Sequence, residues 1–293
     1  MQRGLYGGAI FAGAMIACLL GFGPSANAAS PKPGATPEVR SASVLVVDGN
    51  TGELIFERQP KLVTPIASIT KLMTALVVLD GLQSLDEVIT IKAEDRWKGK
   101  GAFSHLPNGE KLTRGDLLRL ALMASENLAA RTLARNYPGG MSAFVRTMNL
   151  KAKALGMTQT HFDDPSGLSS LNVSSARDLV KLVNATTRNS VIREYSTLPS
   201  HEVRLGKRPF VYRNTNLLIG KSDWKILVQK TGFTNDAGQC LVMQTMIDDR
   251  VVDMVFLNSF GSLTRTADAR RIRKWMEAQG VPSVVSAGAV GTK

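Results

Sequence analysis

The chain of 293 residues predicts an α/β fold of the α+β kind: an antiparallel sheet flanked by helices, plus an all-helical lobe, with a cleft between them. Three observations carry that reading. Short apolar and alternating runs crowd both ends of the chain, as strands do. Helical spacing of apolar residues fills the middle. Gly, Pro, Asn and Asp punctuate the junctions. Strands from both ends then share one sheet, and the helical stretch between them forms the second lobe.

The first 28 residues are set apart from this pattern. Arg3 is their lone charge, Gly4 to Phe22 is small or apolar, and Ala26-Asn27-Ala28 is an A-x-A cleavage site, so the segment reads as a secretory signal peptide. Gly21-Phe22-Gly23-Pro24 breaks the apolar run and argues against a retained span, and Met15 is a poor start to a lipid-anchor motif on Cys18. The formal charge of +12 falls to +11 on losing that single basic residue. For an exported, periplasmic protein this balance points to an acidic envelope polymer or an anionic membrane surface, not to nucleic acid, with membrane association at most peripheral. Cys240 is the one cysteine left after cleavage, which rules out an intrachain disulfide, and its apolar setting marks a packing residue.

Residues 29–40 are rich in proline and read as a linker. Ser43 to Val47 and Glu53 to Phe56 flank Asp48-Gly49-Asn50-Thr51-Gly52, a β-hairpin. Pro65 suits a first helical turn, apolar residues recur at Ile69, Leu72, Met73, Leu76 and Leu79, and Gly81 is a stop. Val88 to Ile91 is a short strand, and a loop follows from Arg96 to Lys111. Thr113 caps a helix with Asp116 completing the box. Further helices run from Leu128 to Asn136, from Met141 to Leu155, and onward from Ser174 or Ser175, with a turn-rich loop from Phe162 to Leu168. Strands follow at Val203 to Leu205, Phe210 to Tyr212, Lys225 to Val228, Leu241 to Ile247 and Val251 to Leu257, the last two joined by a tight turn at Asp248-Asp249. A helix from Thr264 to Gln279 ends the patterned chain, and residues 280–293 form a tail. A catalytic domain thus spans 41–279, its sheet lobe built from 41–67 and 200–279 and its helical lobe from about 68–199.

The chemistry centres on Ser68-Ile69-Thr70-Lys71. A spacing of three places Ser68 and Lys71 on one face of a helix, with Ser68 in the first turn where free N–H groups favour negative charge. A serine with a lysine one turn away is a nucleophile and its base without histidine. The lysine must then be uncharged, and bringing an amine from its ordinary pKa of about 10.4 to neutrality takes about 4 kcal/mol of selective destabilisation of the ammonium form. Burial supplies part of that, and a second cation nearby would supply more. Two other stretches stand out. Taken alone, Ser125-Glu126-Asn127 reads as a helix cap and Lys230-Thr231-Gly232 as a strand end with a turn glycine.

In order, however, these stretches make a Ser-x-x-Lys, Ser-x-Asn, Lys-Thr-Gly series, and the sequence resembles the penicillin-binding serine DD-peptidases, with their β-lactamase-like fold. It looks most like the D-alanyl-D-alanine endopeptidases of the penicillin-binding protein seven type. Ile66 to Ala75, Leu122 to Asn127, Arg213-Asn214-Thr215-Asn216 and Lys230 to Asn235 with Gly238 and Cys240-Leu241-Val242 carry this closer likeness, over about Ser41 to Gln279. The resemblance implies that Ser68 forms the acyl-enzyme, Lys71 takes its proton and Ser125 relays a proton to the leaving amine. It implies that Asn127 holds the substrate backbone, that Lys230 and Thr231 bind a substrate carboxylate, and that Lys230 is the second cation depressing Lys71. Gly232 would let the substrate strand approach, and the N–H groups of Ser68 and Phe233 would form an oxyanion hole. No cofactor or metal is implied, and His105, His161 and His201 lack any ligand spacing. The implied partners are the stem peptides and crosslinks of peptidoglycan, with β-lactam antibiotics as covalent inhibitors, in cell-wall biogenesis and the upkeep of cell shape.

Rival readings separate on particular residues. A class A β-lactamase needs a deacylating glutamate, and none occurs between Glu126 and Glu194; Asp163 and Asp164 read as turn formers before Pro165. A D-alanyl-D-alanine carboxypeptidase shares the site, but such family members usually carry an added C-terminal β-rich domain and an amphipathic anchor, and Gly280 to Lys293 has no amphipathic pattern. A non-catalytic penicillin-sensing or peptidoglycan-binding module would keep the fold and Ser68 without turnover.

Overall fold

The computed structural model describes residues 36–99 and 103–279, all within a compact unit, Pro31–Lys293. The expected signal segment and the tail from Gly280 lie outside the described residues. The elements are β1 (Ser41–Asp48), β2 (Leu54–Arg58), β3 (Thr64–Pro65), a 3-10 turn at Ala67–Ile69, α1 (Thr70–Asp80), β4 (Val88–Thr90), a 3-10 turn at Ala93–Asp95, β5 (Lys111–Thr113), α2 (Arg114–Met123), α3 (Asn127–Arg135) and α4 (Gly140–Ala154). They continue as β6 (Val173–Ser174), α5 (Ala176–Thr187), α6 (Ser190–Thr197), β7 (Ser200–Leu205), β8 (Arg208–Arg213), β9 (Lys225–Thr234), β10 (Gly238–Ile247), β11 (Arg250–Ser259) and α7 (Thr264–Gln279).

Strands from both ends do share one antiparallel sheet, in the order β2-β1-β11-β10-β9. Its central strands are apolar on both faces because both are covered. Val44, Val46, Leu241, Met243, Met254 and Phe256 pack with Ala269, Ile272 and Met276 of α7. The alternate residues Leu45, Val47, Cys240, Val242, Val255 and Leu257 join the larger core that includes the helical lobe. Alternation across the pleat thus explains why the strands read as unbroken apolar runs. Asp268 fastens α7 to the first strand, accepting from Ser41 N–H (2.7 Å) and Ser41 Oγ (2.6 Å).

In the other lobe α1 is the hub, packed against α2, α3, α4 and α5. Every residue from Thr70 to Val78 is buried, so the helix is enclosed all round and not along one stripe. Thr113 caps α2 by accepting from Asp116 N–H (3.0 Å), as expected, and Asp248 and Asp249 both take positive φ in the β10–β11 turn.

Four local expectations are corrected. Pro65 pairs with Val173 as part of β3 and does not open a helix; the nucleophile candidate Ser68 sits in the 3-10 turn ahead of α1. Lys230-Thr231-Gly232 lies inside β9, which runs on to Thr234, so Gly232 is a strand residue and not a turn glycine. The strands β7 and β8 pair only with each other. Helix α6 has no counterpart in the sequence reading: its eight residues are too few for a periodic signal, and Asn189 starts it by accepting from Val191 N–H and Ile192 N–H.

One carboxylate in the sheet is out of place energetically. Asp253 of β11 is buried, accepts from Gln244 Nε2 at 2.8 Å, and leaves Oδ2 without a partner. Burial pushes its pKa up to about 6, with the Asp48 carboxylate adding to the rise. A raised acid pKa means the folded state holds this proton better than the unfolded chain, so its stabilising effect is complete at low pH and is lost as pH rises from about 4 to 6. Thermal melts of Asp253→Asn against the parent are expected to show a gap in the variant's favour that grows between pH 4 and 6 and is level above; a constant gap would contradict this ionisation.

Candidate active site

The 3-10 turn that bears Ser68 is wedged against β9. A Cβ added to Gly232 would lie 2.9 Å from Ile66 O and 3.2 Å from Ser68 N, and one added to Gly167 would lie 1.9 Å from Ala67 O. Glycine at 232 therefore makes room for the protein's own Ser68 turn. Gly167 also has φ +82°, a conformation that costs a side chain dearly. Next to the serine, Ala67 itself holds φ +46°, and Ser125 holds φ +60°. Two non-glycine residues in left-handed backbone at one cleft is strain that the surrounding structure sustains.

Lys71, wholly buried in the first turn of α1, gathers the site. Its Nζ donates to Ser68 Oγ at 2.7 Å, Asn127 Oδ1 at 2.7 Å and Ser166 O at 2.6 Å. An amide oxygen and a carbonyl oxygen can only accept, whereas a hydroxyl can also donate. On losing one proton the amine keeps its two N–H bonds to Asn127 and Ser166, and its lone pair is left facing Ser68. Burial draws the pKa of Lys71 down to about 7, against the opposing pull of the Asp164 and Glu126 carboxylates. The amine is thus poised to lose its proton at neutral pH.

Burial is the largest cause of the low Lys71 pKa, and Lys230 lies near enough for the two ammonium groups to repel each other. Lys230, equally buried and donating to Thr231 O at 2.9 Å, is itself pushed well below its ordinary range, first by burial and then by repulsion from Lys71 and Arg265. Two ammonium groups sharing one interior each make the other's charge harder to hold.

Straps outside the motifs hold these groups in place. On α1, Thr74 Oγ1 donates to Pro165 O (2.6 Å) and Thr70 Oγ1 accepts from Asn172 Nδ2 (2.9 Å), so with Lys71 a polar stripe of the helix carries the 163–172 loop. Asp164 organises that loop by accepting from Ser166 N–H and Gly167 N–H through Oδ1 and from Ser169 N–H through Oδ2. It is the turn former the sequence suggested, and its charge also faces Lys71. Thr215 ties two elements: its N–H donates to Met123 O at the end of α2 (3.0 Å), and its Oγ1 meets Thr231 Oγ1 of β9 at 2.6 Å. Beside it Asn214 bridges Ser196 O and Leu198 O at the end of α6. Arg265 of α7 reaches under β9 to Gly232 O (2.6 Å) and Cys240 O (3.1 Å). Beyond Asp164, the asparagine-rich stretch alone among these straps had a signal in the sequence, and that signal did not disclose its role. Arg265 had none, because its partners are backbone oxygens remote along the chain.

The cleft itself, about 310 Å³, is lined by Ser68, Asn127, Leu168, Phe233, Asn235 and Asp236 among others. The structure therefore brings Ser68, Lys71, Asn127 and the β9 residues Lys230 to Phe233 to one place, with Ser125 in the bend between α2 and α3. Phe233, 57% exposed, closes one side on the edge strand of the sheet. His105, His161 and His201 fall apart in space: His201 Nε2 meets Asp116 (3.0 Å) on the β7 side, His105 packs on Phe103 and Phe210, and His161 bridges Val173. Among the described residues no cluster could hold a metal ion. Cys240 is buried with its pKa raised by burial to about 11, an inert packing thiol.

A serine hydroxyl and a neutralisable lysine in a cleft between an antiparallel sheet and a helical lobe define a serine peptidase of the Ser–Lys type. Residues 27–261 match the D-alanyl-D-alanine carboxypeptidase family, peptidase family S11, and the chain belongs to that family. It is 48% identical over 269 residues to a D-alanyl-D-alanine endopeptidase of Pseudomonas aeruginosa, covering 90% of this chain and 87% of that protein. It is 44% identical to a D-alanyl-D-alanine endopeptidase of Escherichia coli, covering 91% and 87%. Among solved structures, the Streptomyces K15 DD-transpeptidase superposes with a TM-score of 0.77 at 27% identity, over 83% of this chain and 99% of that one.

Two outcomes follow from the geometry. Removing the Glu126 charge takes away a carboxylate that favours the Lys71 ammonium, so Glu126→Gln is expected to move the Lys71 titration, read by NMR of carbon-labelled lysine, from about 7 to lower pH; an unmoved or raised midpoint would contradict the charge pattern. Gly167→Ala forces a Cβ into Ala67 O at positive φ and is expected to cost about 2–4 kcal/mol in denaturant melts, far above a surface glycine substitution.

Proposed function

We propose that this protein is an exported serine D-alanyl-D-alanine endopeptidase that opens D-Ala-containing peptide crosslinks of peptidoglycan. The observation that carries the reading is the Lys71 amine, drawn to a pKa of about 7 and bonded to Ser68 Oγ. In this reading Lys71 takes the Ser68 proton as Oγ bonds to the D-Ala carbonyl carbon. The C–N bond breaks as Ser125 relays the proton held by Lys71 to the departing amine, leaving Lys71 neutral and an acyl ester on Ser68. Water then attacks the ester carbonyl, giving a proton to Lys71, which returns it to Ser68 Oγ as the ester C–O bond breaks. Asn127 holds the peptide backbone. The N–H groups of Ser68 and Phe233 receive the oxyanion, each such donor being worth about 3–4 kcal/mol of barrier where measured. Lys230 and Thr231 take a substrate carboxylate, and the charge Lys230 tends to lose in the empty site would return on pairing with that anion.

The free edge of β9 supports antiparallel docking of a peptide beside Lys230 to Phe233. Endopeptidase over carboxypeptidase is supported by the names of the relatives at 48% and 44% identity. Export to the periplasm rests on the signal-like residues 1–28, with a catalytic domain over 41–279 and a tail after it. Among the described residues no helix is long and apolar enough to cross a membrane, and the net positive charge suits a peripheral hold on the wall.

Intact mass after mixing with penicillin is expected to show one covalent adduct on the parent and none on Ser68→Ala. Purified crosslinked muropeptide dimers are expected to be split into monomers. Release of terminal D-Ala alone would overturn the endopeptidase reading in favour of the carboxypeptidase, and rapid repeated turnover of penicillin would overturn both.

A further inference from the structure

Asn127 borders a second hollow as well as the cleft over Ser68. That hollow is lined by Arg96, Trp97, Phe103 and Arg131, with Asn127 at its inner end. Arg131 follows Asn127 by four residues on α3, so both side chains lie on one face of the helix. Its guanidinium stacks 5.3 Å from the Trp97 ring centroid, its Nε donates to Asp95 O at 2.6 Å, and its terminal nitrogens bond to none of the described residues. Arg96 is pinned by Nε to Asn108 Oδ1 (2.8 Å) and by Nη2 to Leu106 O (2.7 Å), and its Nη1 bonds to none of the described residues. Both arginines are therefore held in place by neutral acceptors.

Neither has a carboxylate partner. The nearby acids are taken: Asp95 by Arg135 at 2.5 Å, and Glu94 by Lys92 and Arg135. All 24 acidic residues of the chain fall within the described residues and none is ion-paired with Arg96 or Arg131; Glu126, beside the hollow, is engaged with Ser104 and Leu128 N–H. Two half-buried, positioned guanidinium groups without a counter-charge, beside an aromatic surface and one helical turn from a residue of the cleft, are chemistry for a planar anion on an apolar stem. A solvated face of arginines would not need both to be anchored, nor to share one hollow with exposed Phe103 and Trp97.

We propose that this hollow is a carboxylate subsite, in which Arg96 and Arg131 hold a free carboxylate carried by the peptide bound at Ser68, its alkyl stem lying against Trp97 and Phe103. The inference rests on the endopeptidase reading and adds a substrate preference to it: crosslinks with free side-branch carboxylates are favoured over those in which these are amidated. A charge-assisted bidentate contact is worth about a tenfold preference or more.

The test compares two synthetic crosslinked peptide dimers that differ only in amidation of their side-branch carboxylates, their terminal carboxylate free in both. The parent protein is expected to cleave the free-carboxylate dimer about tenfold or more faster in kcat/KM, mainly through KM. Arg131→Gln and Arg96→Gln are each expected to bring that ratio to within about threefold of unity. Because the ratio is taken within one protein, partial loss of folded material cancels. Cleavage of both dimers at equal rates by the parent overturns the subsite and leaves the endopeptidase standing, as does a full preference retained in both variants. Cleavage of neither dimer overturns the endopeptidase reading and the subsite with it.

Discussion

An ammonium group enclosed in protein is the constraint around which this molecule is built. Lys71 has no water to share its charge with, so it either finds acceptors or gives up a proton. The site provides three acceptors, enough to keep the charged form from being ruinous, and enough burial to bring the pKa of Lys71 to about 7. Two of the three acceptors have no proton to offer. The neutral amine therefore has only one direction in which its lone pair can be used, and that direction is Ser68.

Holding that geometry explains features that are otherwise odd. The nucleophile candidate does not sit in the first turn of a long helix but in a separate 3-10 turn, and Gly167 on the loop side and Gly232 on the strand side clamp that turn through the backbone. Clamping by main chain is stiffer than clamping by side chains, because no rotamer change can relieve it. The loop that presents Ser166 O is in turn carried by the polar stripe of α1, so the helix that supplies the base also orients one of its acceptors. Thr215 and Asn214 bind the end of α2, the end of α6 and β9 together, and so set the distance between the sheet and helical lobes at the cleft.

Much of this was legible in the sequence, and the reasons are local. The spacing of Ser68 and Lys71, the cap at Thr113, the turn at Asp248-Asp249 and the apolar runs of β1, β10 and β11 are short-range signals. What could not be read depends on partners remote along the chain. Gly232 looked like a turn glycine because nothing near it in sequence reveals that Ile66 O lies against it. Thr70 and Thr74 looked like ordinary polar positions on a helix until the 163–172 loop was seen to hang from them. Helix α6 was invisible for another reason: eight residues are barely two turns, too short for its apolar face to show as a repeat.

The electrostatics of the pair Lys71 and Lys230 add a final step that distances alone do not give. Both amines are buried and repel each other, and Lys230 lies on β9, the edge strand of the sheet. Lys230, held well below its ordinary range, would regain its charge beside an anion. Once an anion restores its charge, the field of that ammonium acts on Lys71 while the anion partly offsets it, and the balance is decided by which lies nearer to Lys71 Nζ. Lys230 joins the cleft to Arg265 as well, whose own guanidinium is bound to Gly232 O on the strand that carries the contact. Charge at the docking edge and proton affinity at the base are therefore one coupled system, so that a residue changed at either end alters the other without any movement of the backbone.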